Sequence, residues 1–166
     1  MKDRLSDPAG IEDFLLFRMH KVVALGGSLI TRICEGRFGI TRREWTVLAI
    51  VSRASEMQWA ELRARSELDD ARLSRAVSSL VDKGLAKKTS GPNRQVLVSL
   101  TDSGRRRYEE IFPIARDINT NLLRELGTDA ADTLDSALVM LHQRAEELAS
   151  ATVVPKADRL RGRQRP

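Results

Sequence analysis

Apolar residues recur at steps of three and four through Ile11, Phe14, Leu15, Met19, Val22, Leu25, Leu29, Ile30 and Ile33. This spacing predicts a long amphipathic helix that ends near Gly36 or Gly39. Its stripe is broad and finds no partner nearby in sequence. Residues 1–10 precede it as a flexible leader, with Asp7-Pro8 as the helix entry. "ITRREWTVLAIVSRA" then opens with Thr41 and Glu44 at capping-box spacing, predicting a second helix to about Arg53. "MQWAELRARSEL" reads as a short third helix with Trp59 or Ala60, Leu62 and Ser66 turned inward, closing near Glu67 or Leu68. Asp69 caps a fourth helix that runs to Lys83, where Gly84 supplies the left-handed C-terminal position.

Past Gly84 the period falls to two. "LAKKTS" and "QVLVSL" read as strands, joined by the turn formers of "GPNR" into a two-stranded hairpin. Thr101 caps a returning helix in which Pro113 predicts a kink or irregular turn. After Gly127, Thr128 is expected to cap a final helix whose Leu134, Leu138, Leu141, Ala145 and Leu148 form a narrow seam suited to another long helix. The fold class is therefore mostly α with a small two-stranded β wing. Helix, helix, helix and basic hairpin follow one another in the order of a winged helix-turn-helix.

Composition agrees with helix: among 166 residues aromatics are scarce, at 4%. The apolar runs are broken by charge before the roughly 18 residues a spanning helix needs, so no membrane association is expected. A single cysteine, Cys34, excludes an internal disulfide, and the chain opens without a charged-then-apolar leader, so a cytoplasmic location is expected. The net charge of +5 says less than its distribution. Residues 156–166 carry five basic residues against one acidic, and residues 69–107 carry nine against four. The second concentration coincides with the fourth helix and the hairpin.

On a wheel of 100° per residue, Leu73, Ala76, Val77, Leu80 and Gly84 gather on one side of that helix. Ala71, Arg75, Ser78 and Asp82 lie opposite, flanked by Arg72, Ser74 and Ser79. Small residues let a helix backbone approach a groove, and arginine offers a planar fork for guanine O6/N7 or phosphate. The face therefore suits the major groove of double-stranded DNA. Lys87, Lys88, Asn93, Arg94 and Gln95 on the hairpin, with Gln58 at the start of the third helix, are candidate phosphate or minor-groove contacts. An ordinary solvated face has the same composition, and a winged helix also serves as a protein-protein interaction module.

"ITRREWTVLAIV", "LDDARLSRAVSSLVDKGLAKK" and "LVSLTDSGRRRYEEI" together resemble the core of the MarR family of bacterial transcription regulators. The resemblance covers roughly residues 11–149 and is strongest from 40 to 110. It implies a homodimer whose first and last helices interleave into an all-helical dimerisation lobe, setting two winged lobes on a pseudo-palindromic operator, most simply as a repressor. On this division residues 11–36 are the N-terminal dimerisation helix, 37–101 the DNA-binding lobe, 102–150 the C-terminal dimerisation helices and 151–166 a basic disordered tail. Arg72, Ser74, Arg75 and Ser78 fall at recognition-helix positions that typically face DNA, and Arg94 matches the arginine near the wing tip. The chain departs from the family in a wing about two residues shorter, in Asn93 where an acidic brace is usual, in Gln58 and Trp59 at the start of the third helix, and in Ser66 at a usually aliphatic position.

The resemblance also implies a small aromatic acid effector held in a crevice between the lobes. Phe14, Arg18 and His20 on the first helix, with Arg43 and Trp45 on the second, are the candidate ligand residues. Some relatives sense oxidants through a first-helix cysteine, which makes Cys34 an alternative switch, although a lone cysteine there is more often a small core residue. His20 and His142 are far apart, and the chain has no Gly-rich phosphate loop and no cluster at metal-ligand spacing, so neither an enzyme nor a bound cofactor or metal is expected.

Overall fold

A computed structural model describes residues 4–152, so most of the basic tail lies outside the described residues. The chain divides into two compact units, residues 1–122 and 123–166. In the first, a 3-10 turn at Ile11–Asp13 leads into α1 (Leu15–Phe38), which closes on Gly39 in the left-handed region, φ 61°. The Gly39 amide donates back to Glu35 O at 3.2 Å. Only Gly26 and Cys34 of α1 are buried, and Phe14, Val22, Leu25 and Leu29 remain exposed.

α2 (Arg42–Val51) begins with the expected capping box: the Glu44 amide donates to Thr41 Oγ1 at 3.3 Å and the Thr41 amide donates to Glu44 Oε2 at 2.7 Å. α3 (Trp59–Ser66) and α4 (Asp70–Asp82) follow, joined by Glu67, Leu68 and Asp69, with Glu67 in the left-handed region at φ 54°. Val47, Leu48 and Val51 of α2 meet Leu62 of α3 and Leu73, Val77 and Leu80 of α4 in one core that reaches Val98 and Leu100 of the sheet. The wheel reading of α4 matches this burial, apart from Gly84, which is exposed past the helix end.

The sheet corrects the two-stranded expectation. β2 (Ala86–Ser90) and β3 (Val96–Leu100) pair antiparallel from Ala86↔Leu100 to Ser90↔Val96, and a third strand, β1 (Met57–Gln58), adds to the other edge of β3. Two residues running straight into a helix leave no readable period, yet Met57 opposite Val98 plugs the core. At the wing tip Asn93 and Arg94 both take positive φ, 57° and 61°, and the Gly91 amide closes the loop on Gln95 O at 2.7 Å.

α5 (Asp102–Leu123) is locked to the end of α4. Thr101 Oγ1 donates to Gly84 O at 2.7 Å and accepts from the Gly104 amide at 3.0 Å, while the Thr101 amide donates to Leu85 O at 3.1 Å. Gly104 is required by this packing, because a Cβ there would overlap the Leu85 carbonyl oxygen. The helix runs on through Pro113, where a kink or irregular turn was expected. In the second unit α6 (Gly127–Ala151) starts on Gly127 at φ 70° with no side-chain cap, so Thr128 does not take the expected capping role. Leu134, Leu138, Leu141 and Leu148 of α6 are all exposed in the single chain.

One contact fixes α4 on α2. Lys83, the C-terminal boundary residue of α4, places its Nζ 2.8 Å from both carboxylate oxygens of Glu44 and 2.7 Å from Gly39 O. Glu44 is buried. Burial alone would push its carboxyl up. Hydrogen bonds from Lys83, Ser79 and the Thr41 amide, together with the Lys83 charge, outweigh that and hold it below its ordinary 4.5. A carboxylate with a depressed folded value adds stability above its unfolded value and loses it as pH falls through the folded one. We expect the melting temperature to fall as pH drops below about 4.5, and Glu44→Gln to flatten this acid limb. Lys83→Met, which strands the carboxylate, should cost about 2 kcal/mol at neutral pH, less than a fully buried pair because the ammonium keeps solvent access. Chemical denaturation at pH 7 and pH 4 measures both; an acid limb unchanged in Glu44→Gln contradicts the assignment.

Candidate nucleic-acid interface

The Asp69 carboxylate starts α4 by accepting from the Arg72 amide at 2.7 Å, and its other oxygen meets Arg72 Nε at 3.3 Å. Burying Leu73, Ala76, Val77 and Leu80 forces Ala71, Arg72, Ser74, Arg75 and Ser78 outward, and all five are exposed. The Arg75 guanidinium makes no ion pair among the described residues, so both edges of its fork are open to a ligand. Ser79 departs from the expected groove-facing role. It is half-buried toward the Glu44 carboxylate, because it sits on the same flank of α4 as Lys83.

The wing stands beside this face. Lys88 Nζ lies 5.1 Å from the centroid of the Trp59 ring, a cation-π contact that ties β2 to the first residue of α3. Trp59 is half-buried against the core, and its departure from the family pattern thus has a structural use. Lys87, Asn93, Arg94 and Gln95 are exposed. Gln58 is exposed at the N-terminal boundary of α3, where its side chain makes no capping hydrogen bond and its backbone belongs to the register with Leu97. Ser66 is buried with both hydrogen-bonding roles met: Oγ donates to Arg63 O at 3.3 Å and accepts from the Leu68 amide at 3.4 Å.

The five candidate ligand residues are not brought together within the chain. Arg18 and His20 are both exposed, and two positions along a helix is a turn of about 200°, which sends them to different faces. Phe14 is exposed at the N-terminal boundary of α1. Arg18 stands twenty positions before the last residue of α1, about 30 Å at 1.5 Å per residue, from the end that leads into α2. Arg43 and Trp45 diverge for the same angular reason. Trp45 stacks on Tyr108 of α5 with centroids 5.7 Å apart, and Tyr108 meets Phe112 at 5.3 Å. Arg43 instead borders two clefts, one of about 480 Å³ shared with Arg42, Glu35 and Ser66 and one of about 180 Å³ shared with Arg72 and Arg75.

Cys34 is fully buried in the core, and burial, then the adjacent Glu35, pushes its thiol up. A sensing cysteine needs an exposed thiolate, so this geometry argues against the redox alternative. Among the described residues no His, Cys, Asp or Glu group has metal-binding spacing, and no helix is long and apolar enough to cross a membrane.

Three positioning residues escaped sequence reading. Lys83 read only as the end of a helix, although its place on the α4 wheel beside Ser79 already pointed it toward α2. Gly104 looked like any glycine in a first helical turn. Arg107 donates from Nη1 to Phe38 O at 2.8 Å and lies 5.7 Å from the Phe38 ring, placing a cation at the C-terminus of α1. No local signal marks that contact.

Comparisons with known proteins agree with this geometry. A sequence model of the MarR family matches residues 38–95, the stretch from the end of α1 through the wing tip. An uncharacterised HTH-type transcriptional regulator of Bacillus subtilis, YdgJ, is 33% identical over 77 residues, which are 45% of this chain and 47% of that protein; the match thus spans about half the relative's length. The structure of a MarR-family transcriptional regulator from Silicibacter pomeroyi superposes with a TM-score of 0.71 at 21% identity, covering 90% of this chain and 97% of that one. The PcaV transcriptional regulator from Streptomyces coelicolor, solved with its natural ligand, gives 0.68 at 20% identity over 82% of this chain and 94% of that one. The chain thus has the winged helix-turn-helix fold of those structures, and its residues 38–95 carry the sequence core that the MarR family model describes.

Proposed function

We propose that the protein is a homodimeric DNA-binding regulator that represses by occupying a pseudo-palindromic operator and releases it when a small aromatic carboxylate binds. The observation that carries this reading is the exposed face of α4. Ala71, Ser74 and Ser78 give close approach, and Arg72 and Arg75 supply guanidiniums beside a wing that carries Lys87, Lys88 and Arg94. Such a chain acts by binding rather than by catalysis.

Dimerisation is supported by apolar surface that one chain leaves uncovered. Val22, Leu25 and Leu29 on α1 and Leu134, Leu138 and Leu148 on α6 are each about 40% exposed or more. Two recognition helices then read half-sites about one helical turn apart. The ligand part is supported by the PcaV neighbour, which is solved with its natural ligand, and by Arg18 on α1, which makes no ion pair among the described residues. A second chain would have to complete any pocket that joins Arg18 or His20 to Arg43.

Binding to the protein's own promoter DNA should weaken steeply with salt through counterion release, whereas a protein-binding winged helix would show a flat response. Arg75→Ala should cost roughly 1 to 3 kcal/mol and relax specificity at one position of each half-site, read by fluorescence anisotropy against a set of substituted operators. Wild-type affinity in that variant removes Arg75 as a base reader. Benzoate is expected to lower operator affinity in the wild type, and Arg18→Ala and His20→Ala to blunt the effect. A full response in both variants moves the effector site elsewhere.

A further inference from the structure

The smaller cleft beside α4 is lined by three arginines from two helices: Arg43 from the first turn of α2, and Arg72 and Arg75 from α4. The one carboxylate on its wall is Glu44, whose oxygens are occupied by Lys83 Nζ at 2.8 Å and by the Thr41 amide at 2.7 Å. It neutralises none of the three. Arg43 is exposed, and its guanidinium has no hydrogen bond or ion pair among the described residues. Arg72 is held by Asp69 at one edge only. The cleft is thus an uncompensated cationic recess of about 180 Å³ that calls for an anion.

Its place on α4 selects the anion. Taking Leu73 as zero, Ala76, Lys83, Arg72, Ser79 and Arg75 run from about −60° to −160°, the flank turned toward α2. Ala71, Arg75, Ser78 and Asp82 lie near 180°, the outermost line. A helix in the major groove presents its outermost line to base edges and its flanks to the sugar-phosphate strands that wall the groove. Arg75 sits where line and flank meet, Arg72 on the flank, and Arg43 continues that flank onto a different helix.

We propose that Arg43, with Arg72, clamps a backbone phosphate of bound DNA along the α2 side of the recognition helix, and does not belong to an effector crevice. This rests on the DNA-binding reading and divides its labour: Arg75 reads a base edge, while the Arg43–Arg72 pair grips the strand beside it. Because a phosphate carries no sequence information, Arg43 adds affinity equally to operator and unrelated DNA. Arginine suits the place through its bidentate fork, and the first-turn amides of α2 add positive potential on the same side.

The test measures the dependence of operator and unrelated-DNA affinity on salt for Arg43→Gln and Arg43→Lys, with Arg75→Ala as the control for groove binding. Arg43 is exposed, so the variants should melt like wild type. Arg43→Gln is expected to weaken both DNAs by the same factor, about tenfold, and to reduce the slope of log affinity against log salt by about 1. Arg43→Lys keeps the slope. If Arg43→Gln retains wild-type affinity and slope while Arg75→Ala weakens operator binding, the clamp is overturned and the DNA-binding reading survives. If the wild-type protein binds no DNA with a salt-dependent affinity, the DNA-binding reading itself fails; if it binds and neither variant changes that, the clamp and the base-reading role of Arg75 are both overturned. Inorganic phosphate probes the other source of the same chemistry. A melting temperature raised by millimolar phosphate in wild type but not in Arg43→Gln, with the DNA slope intact, assigns the recess to a free anion and overturns the clamp.

Discussion

A single ammonium group, Lys83 Nζ, is hydrogen-bonded at once to the carbonyl of Gly39, which caps α1, and to the carboxylate of Glu44 in the first turn of α2, and it is carried by the residue that caps α4. Three helix termini therefore meet at one charge. The arrangement is electrostatically consistent, since a cation belongs at helix C-termini and an anion at a helix N-terminus. It is also unforgiving, because Glu44 is buried and would be a stranded charge without its partner. Which face of α4 looks outward follows from this contact together with the burial of Leu73, Val77 and Leu80. The orientation of the cationic face is thus a consequence of packing on its opposite side.

The wing and α5 are fastened by a different device, made of backbone groups. Thr101 serves Gly84 and Gly104 at the same time, and the missing side chain of Gly104 lets α5 approach the first residues of the hairpin. Lys88 over Trp59 then ties the outer strand back to α3. Arg107 closes the circuit by meeting the last carbonyl of α1. Each fastening joins elements distant in sequence, so helix, turn and wing are presented together. The proposed DNA-reading surface of α4, β2 and a flank of α2 depends on that joint presentation.

Much of this was legible in the sequence wherever chemistry is local. The caps at Thr41 and Asp69, the left-handed glycine at 84 and the inward face of α4 all follow from rules that span four residues or fewer. Ser79 and Lys83 were not read correctly because their surroundings are set by a helix more than thirty positions away. β1 was invisible for a related reason: two residues have no period, and only pairing with Val98 and Leu97 makes them a strand. Arg43 and Trp45 were grouped by proximity in sequence, although the 200° between them already separated their faces. Pro113 lies inside a helix that continues on both sides, so its local rule did not end the element.

The central claim is that the Glu44–Lys83 contact orients α4 for groove binding. The most direct measurement is a double-mutant cycle on operator affinity with Glu44→Gln, Lys83→Met and the pair together, at a temperature where circular dichroism shows all three folded. Removing the pair together restores the charge balance that each single variant upsets, so a loss shared by both singles and not deepened in the double acts through the pose of α4. The account predicts that each single variant weakens operator binding and that the double variant is no worse than the more damaging single one. Folded variants that bind operator with wild-type affinity would contradict it.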